Sequence, residues 1–198
     1  MFYRPEAGHG LPHNPLNAIV APRPIGWIST RGTLGDNLAP YSFFNLTAYM
    51  PPQVMFASTS AKPDRPGSKD SVAQIAESRV FCVNIADAAL RTQVNDSSAA
   101  LPAGISEFAA AGIVAAECQT IDCPRVAGAA AALECRMTRV IRLAGQANIM
   151  VLGVVTGIHL RPDCLAEGRF RPPQGWLSRL GYSDYAATTE TFEMERPQ

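Results

Sequence analysis

Leu133, Cys135 and Met137 alternate with Glu134, Arg136 and Thr138, the two-residue period of a strand with one buried face. This run, Leu133–Leu143, is one of six strand candidates. The others are Ile19-Val20, Ile25–Thr30, Val54–Ser58, Val80–Ile85 and Ile149–Leu160, rich in β-branched residues and bounded by Gly, Pro or Asn. Ile149–Leu160 is apolar on both faces, and its Gly153 and Gly157 predict a long strand that bends at the glycines. Helical spacing is rarer. Ser71–Ser78 places Val72, Ile75 and Ala76 at helical intervals, and Ser71-x-x-Gln74 has the form of a capping box. Asp87–Asp96 sets Leu90 and Val94 four residues apart, and Ser106–Ala111 reads as a short helix closed by Gly112. The prolines and turn signals of Met1–Pro15 suggest an extended arm, and residues from about 174 to 198 form a C-terminal tail. Strands outnumber helices and do not alternate with them, which argues against a doubly wound α/β fold. The pattern predicts a mainly β protein, a barrel with a few peripheral helices. With no internal repeat or long linker, a single domain over 1–198 is expected.

Composition narrows the partners. Hydrophobic residues make up 47% and charged residues 17%, which suits a chain with a sizeable core. A net charge of +0 gives no electrostatic footprint for nucleic acid or an anionic membrane. No apolar run reaches the length of a membrane span, and the first residues lack the apolar region of a signal peptide, so a cytoplasmic location is expected. The five cysteines include no C-x-x-C pair. Cys82 and Cys135 lie in apolar runs as small hydrophobes, free thiols are expected throughout, and no metal site is expected.

The local signatures of hydrolases, P-loops and dinucleotide-binding folds are missing, so any enzymatic reactivity would come from a bound organic cofactor. Three segments could build its site. In Ala21–Thr30, Gly26 allows a flat ring to approach, and Trp27 either covers that ring or belongs to the core. Asn37–Asn45 mixes small polar groups with aromatics, as does a site that bonds a ring edge and packs a ring face, and as do ordinary loops. The third segment holds Ser58, Thr59, Ser60, Lys62, Arg65, Lys69 and Ser71. Only two of the seventeen cationic residues are lysines, and both lie here, before a helix start. Hydroxyls, cations and free helix N–H groups suit a phosphate, and they equally suit a solvated loop.

Together these stretches closely resemble the flavin reductase-like family with the FMN-binding split-barrel fold. The resemblance rests on Met1–Pro5 with Gly8-His9-Gly10, Pro22–Thr30, Asn37–Asn45, Pro51-Pro52 and Lys69-Asp70-Ser71. It continues through Val83-Asn84, Glu107-Phe108, Ala111-Gly112, Leu133-Glu134-Cys135 and Leu180-Gly181-Tyr182 with Tyr185. It implies a homodimer that binds FMN, rather than FAD, near the subunit interface and reduces it with NADH or NADPH. By position, Pro24, Ile25, Trp27, Ser29 and Thr30, with Ala39, Pro40, Tyr41, Ser42 and Phe43, would line the isoalloxazine and ribityl chain. The backbone N–H groups of an Ala39–Ser42 turn would face the flavin edge that gains charge on reduction. Ser58, Thr59, Lys69, Asp70 and Ser71 would surround the phosphate, with Asp70 orienting Lys69 or capping the helix. The family often has Thr where this chain has Ser71. In the tail, Gly181-Tyr182-Ser183-Asp184-Tyr185 replaces a more glycine-rich pattern of the family, so Tyr182 or Tyr185 would shape a substrate pocket peculiar to this chain. Hydride transfer requires no general acid or base, so no catalytic side chain is assigned. The alternative is an electron-carrier module without efficient nicotinamide oxidation.

Overall fold

The computed structural model describes residues 1–61, 67–102 and 104–197. After a 3-10 turn at Pro5–Ala7 come helix α1 (Leu16–Ile19) and strands β1 (Arg23–Pro24), β2 (Gly26–Gly32), β3 (Gly35–Tyr41), β4 (Phe44–Tyr49) and β5 (Pro52–Ser58). Helix α2 (Asp70–Ser78), β6 (Val80–Ile85), α3 (Arg91–Asp96) and α4 (Glu107–Ala110) follow. The remainder is β7 (Ala115–Glu117), β8 (Pro124–Val126), β9 (Ala131–Arg142), β10 (Ile149–Leu160), β11 (Leu165–Ala166), β12 (Arg169–Phe170), β13 (Trp176–Arg179) and β14 (Tyr185–Thr188).

The main sheet runs β3-β2-β6-β9-β10-β5-β4, antiparallel throughout. Its two edge strands, β3 and β4, are joined by only Ser42 and Phe43, so the sheet must curl until its edges meet. This is the mainly β split barrel implied by the resemblance. The interior is apolar, with Phe56 packed 4.8 Å from Tyr41 and 5.7 Å from Phe81, ring centre to ring centre. Strand β10 bends as predicted, with register shifts at Leu152/Gly153 and Val155/Gly157. A methyl group on Gly153 would lie 2.6 Å from the Phe81 ring, so the glycine both bends the strand and admits the aromatic.

Three local expectations are corrected. Ile19 ends α1 and Val20 follows it, both exposed, instead of forming a strand. The Arg23 guanidinium takes up the carbonyls of Asn17 and Val20, which supplies the helix end with the partners a strand would have given. The capping box is absent because α2 starts one residue early, with Lys69 as its N-cap. Ser71 and Gln74 instead bond sideways to the sheet: Ser71 Oγ accepts from Asn37 Nδ2 at 2.9 Å, and Gln74 pairs with Thr30. The expected 39–42 turn belongs mostly to β3, whose ladder with β2 pairs Trp27 with Pro40 and Gly26 with Tyr41. Pro40 is tolerated because β3 is an edge strand. Asp87–Asp96 divides into a 3-10 turn and α3, its start capped by Asp87, whose Oδ1 accepts from Ala89 N at 3.1 Å.

The tail adds a small sheet, β1-β13-β14. In it Arg23 stands directly opposite Arg179, and Pro24 opposite Ser178.

A two-lobed cleft over Tyr41

Two clefts, of about 350 and 280 Å³, share Pro40, Tyr41, Lys69 and Ser98. The smaller is polar. Asn37, Ser60, Asp70, Ser71, Ser97 and Glu107 line it, and Tyr41 is its single aromatic. The larger carries Ile25, Phe43, Tyr182 and Tyr185 together with Arg23 and Arg179. Their common wall is the end of β3, where the Lys69 ammonium lies 5.5 Å over the Tyr41 ring.

Local folding explains how these groups meet. Lys69 is extended and the helix begins at Asp70, so the positive end of the α2 dipole opens onto the polar lobe. Asn37 on β3 donates to Ser71 Oγ and also reaches Thr30 Oγ1 at 3.4 Å, tying the helix start to the cleft wall. Glu107 at the start of α4 accepts from Leu38 N at 3.0 Å and holds the same strand from the other side. The Tyr41 hydroxyl is buried beside Ser58 and Ser71 with no hydrogen bond of normal length among the described residues, and burial pushes it up to about 12.

At the far end the Arg23 guanidinium is buried, 7% exposed, and also donates to Leu180 O at 3.0 Å. Burial, and after it the neighbouring Arg179, lowers its pKa from the usual arginine value. Arg179 lies 4.4 Å over the Tyr185 ring and donates to the Tyr182 carbonyl. Tyr182 has φ 51°, a left-handed backbone unusual for a residue with a side chain. Gly181 beside it must be glycine, because a Cβ would come within 2.8 Å of Ala18 in α1.

The structure thus gathers Ile25, Ala39, Pro40, Tyr41, Ser42, Phe43, Thr59, Lys69, Asp70, Ser71, Tyr182 and Tyr185 around one cleft. Five other sequence candidates point elsewhere. Trp27 is fully buried and its Nε1 donates to Ser97 Oγ at 2.9 Å, so it is a core residue and does not cover a ligand. Ser29 donates to Pro124 O at 2.6 Å and Thr30 to Gln74, both in the interior. Pro24 is exposed on β1, and Ser58 is buried behind the lobe, bonded to Ser60 O at 3.4 Å. The space left by Gly26 is filled by Phe44, 2.7 Å from where a Cβ would stand, rather than by a ligand ring. Lys62 and Arg65 lie outside the described residues. Asp70 is the first residue of α2 and does not cap it. Sequence reasoning missed Arg23, Arg179 and the Ser97–Ser98 turn. A cross-strand pair so distant in the chain leaves no local pattern.

Away from the cleft, Glu134 is completely buried and accepts from Gln119 N (2.7 Å), Thr120 N (2.6 Å), Thr120 Oγ1 and His159 Nε2 (each 2.5 Å). His159, next to the last residue of β10, is held by this bond. All five cysteines are free thiols, and Cys118 packs beside Cys82 and Cys123. No cluster of His, Cys, Asp and Glu suited to a metal occurs among the described residues. No helix among them is long and apolar enough to cross a membrane.

Comparison with known proteins follows the same lines. An uncharacterized protein of Deinococcus radiodurans is 38% identical over 191 residues, covering 91% of this chain and 82% of that protein. Nitrilotriacetate monooxygenase component B from Bacillus cereus superposes with a TM-score of 0.83 at 28% identity, covering 94% of this chain and all of the other. The 2-nitrobenzoate 2-nitroreductase NbaA of Pseudomonas fluorescens gives 0.80 at 29% identity, covering 92% and 88%. The model of the flavin reductase like domain matches residues 20–178, and the chain belongs to that family.

Proposed function

We propose that this chain binds FMN along the two-lobed cleft and works as an oxidoreductase that takes hydride from NADH or NADPH. The observation that carries the reading is the join at Tyr41 and Lys69 of a hydroxyl-rich lobe at a helix start with an aromatic lobe. The donor set fits a ribityl phosphate: Lys69 supplies charge, the α2 start supplies N–H groups, and Ser60, Ser71 and Ser98 supply hydroxyls. Ile25, Tyr41 and Phe43 supply surfaces for a flat ring system. Among the described residues, Tyr41 is the one aromatic of the polar lobe and leaves no second platform for an adenine, which favours FMN over FAD. Bound FMN would supply the hydride chemistry. The protein's part is to seat the phosphate, pack the ring and present donors from β3 to the flavin edge.

A homodimer belongs to the same proposal. Tyr49 and Met50, at the turn after β4, are 81% and 94% exposed, and a second copy would cover them. The test is direct. Purified protein is mixed with FMN, freed of excess flavin and titrated anaerobically with NADH and NADPH. Retained flavin absorbance that bleaches on addition supports the proposal. Bound flavin that neither nucleotide bleaches supports the electron-carrier alternative, and no bound flavin refutes both.

A further inference from the structure

We propose that the aromatic lobe receives a substrate carrying an anionic oxygen group, a carboxylate or a phosphate, and that Arg179 is its receptor. The inference rests on the lobe's assignment as the reaction site and names the chemistry of what enters it. Four observations carry it. Arg23 and Arg179 face each other in register across β1 and β13, an arrangement that is destabilising unless something neutralises it. Both line the same cleft, and neither pairs with a carboxylate among the described residues. Arg23 is consumed by backbone: it holds Asn17, Val20 and Leu180 carbonyls and is almost wholly buried. The Arg179 side chain makes one hydrogen bond among the described residues, to the Tyr182 carbonyl, and its guanidinium carbon lies over the Tyr185 ring. A guanidinium with one such bond keeps most of its five N–H donors for a planar carboxylate or a phosphate.

The surroundings are built to hold that orientation. Tyr182 adopts a left-handed backbone that places its carbonyl on Arg179. Its ring meets His13 from the N-terminal arm at 5.7 Å, and Gly181 lets the same turn close against Ala18. Arg23, itself buried, adds a second positive charge on the paired strand. Phe43 and Tyr185 border the lobe, so an aromatic or other flat anion suits it best. Arg179 is therefore a specificity residue for the second substrate. Two sources share this chemistry: the phosphates of a nicotinamide nucleotide, and a carboxylated electron acceptor.

The experiment compares charged and neutral probes on FMN-saturated protein by calorimetry and by perturbation of the flavin spectrum. Benzoate and phenyl phosphate should bind at least about tenfold more tightly than benzamide, a difference of about 1.4 kcal/mol. R179Q should abolish the preference and R179K should restore part of it. A raised KM for NADH in R179Q would identify the nucleotide phosphate as the natural anion. An unchanged KM for NADH, with the benzoate preference lost, would identify a carboxylated acceptor. Equal binding of benzoate and benzamide to the native protein overturns the proposal without recourse to any variant. So does R179Q if it weakens FMN and leaves the benzoate preference intact, since Arg179 would then serve the flavin. If the chain takes up no FMN, the proposed function fails by itself, and the calorimetric ratio on the flavin-free chain still decides the anion seat.

Discussion

Glu134→Gln changes one atom of a carboxyl group that four donors surround, and the structure sets the expected cost. Burial pushes the Glu134 carboxyl up, but bonds from the Thr120 hydroxyl, the Gln119 and Thr120 amides and His159 outweigh it and hold it at about 2, against 4.5 ordinarily. That gap corresponds to about 3 kcal/mol at ~1.4 kcal/mol per pH unit. Glutamine can accept on one side only, and its NH₂ would face donors, so the variant should lose about 3 kcal/mol near neutral pH. The sign of the pH dependence follows from linkage. With the folded-state pKa depressed, the unfolded chain binds more protons between about 4.5 and 2, so the native carboxylate's contribution is whole above 4.5 and lost as pH falls toward 2. Urea unfolding of both proteins from pH 7 to pH 2.5 should therefore show a gap that is steady above 4.5 and narrows below it. A variant within ~0.5 kcal/mol of the native protein, or a gap independent of pH, would refute the reasoning.

Three other outcomes are expected. Lys69→Ala should weaken FMN binding by about tenfold or more, the value of one charge-assisted contact, while thermal unfolding of the flavin-free protein is little changed; unaltered affinity removes Lys69 from the site. Arg161→Ala leaves Asp87, buried and bonded to Arg161 Nη2 at 2.6 Å, without its cation. Urea denaturation should show a loss of about 3 kcal/mol, and a loss below ~1 kcal/mol would mean that water replaces the partner. Brief iodoacetamide treatment of the native protein should alkylate Cys118, the one half-buried thiol, and spare the four buried ones. The Cys123 and Cys82 thiols beside Cys118 lower its pKa, which favours the reactive thiolate. Peptide mass spectrometry that finds Cys82 or Cys135 labelled at the same rate would contradict the packing.

What could be read from the chain differs by element for physical reasons. Val80–Ile85 and Ile149–Leu160 appear with the predicted limits, because each is a strand whose apolar pattern faces a core and whose ends are marked. The first helix escaped because Ile19 and Val20 favour strand locally, while a guanidinium three residues on satisfies the helical carbonyls. Strand β3 is poor in β-formers, and its main-chain ladder with β2 outweighs that propensity. At the site, Tyr41, Phe43, Lys69 and Ser71 were legible as types of residue in a suggestive order. Trp27 and Ser29 in the same block were not separable from them, since alternation does not say which face of a strand is interior. The pairing of Arg23 with Arg179 depends on a return of the tail to β1, and only the three-dimensional fold reveals it.

The claim on which the rest depends is that the cleft over Tyr41 holds a flavin that a nicotinamide nucleotide reduces. An anaerobic titration of the FMN-loaded protein with NADH and NADPH, followed by flavin absorbance, tests it most directly. FMN should stay with the protein through gel filtration and bleach with one equivalent of at least one nucleotide. Protein that emerges colourless after saturation with FMN would contradict it.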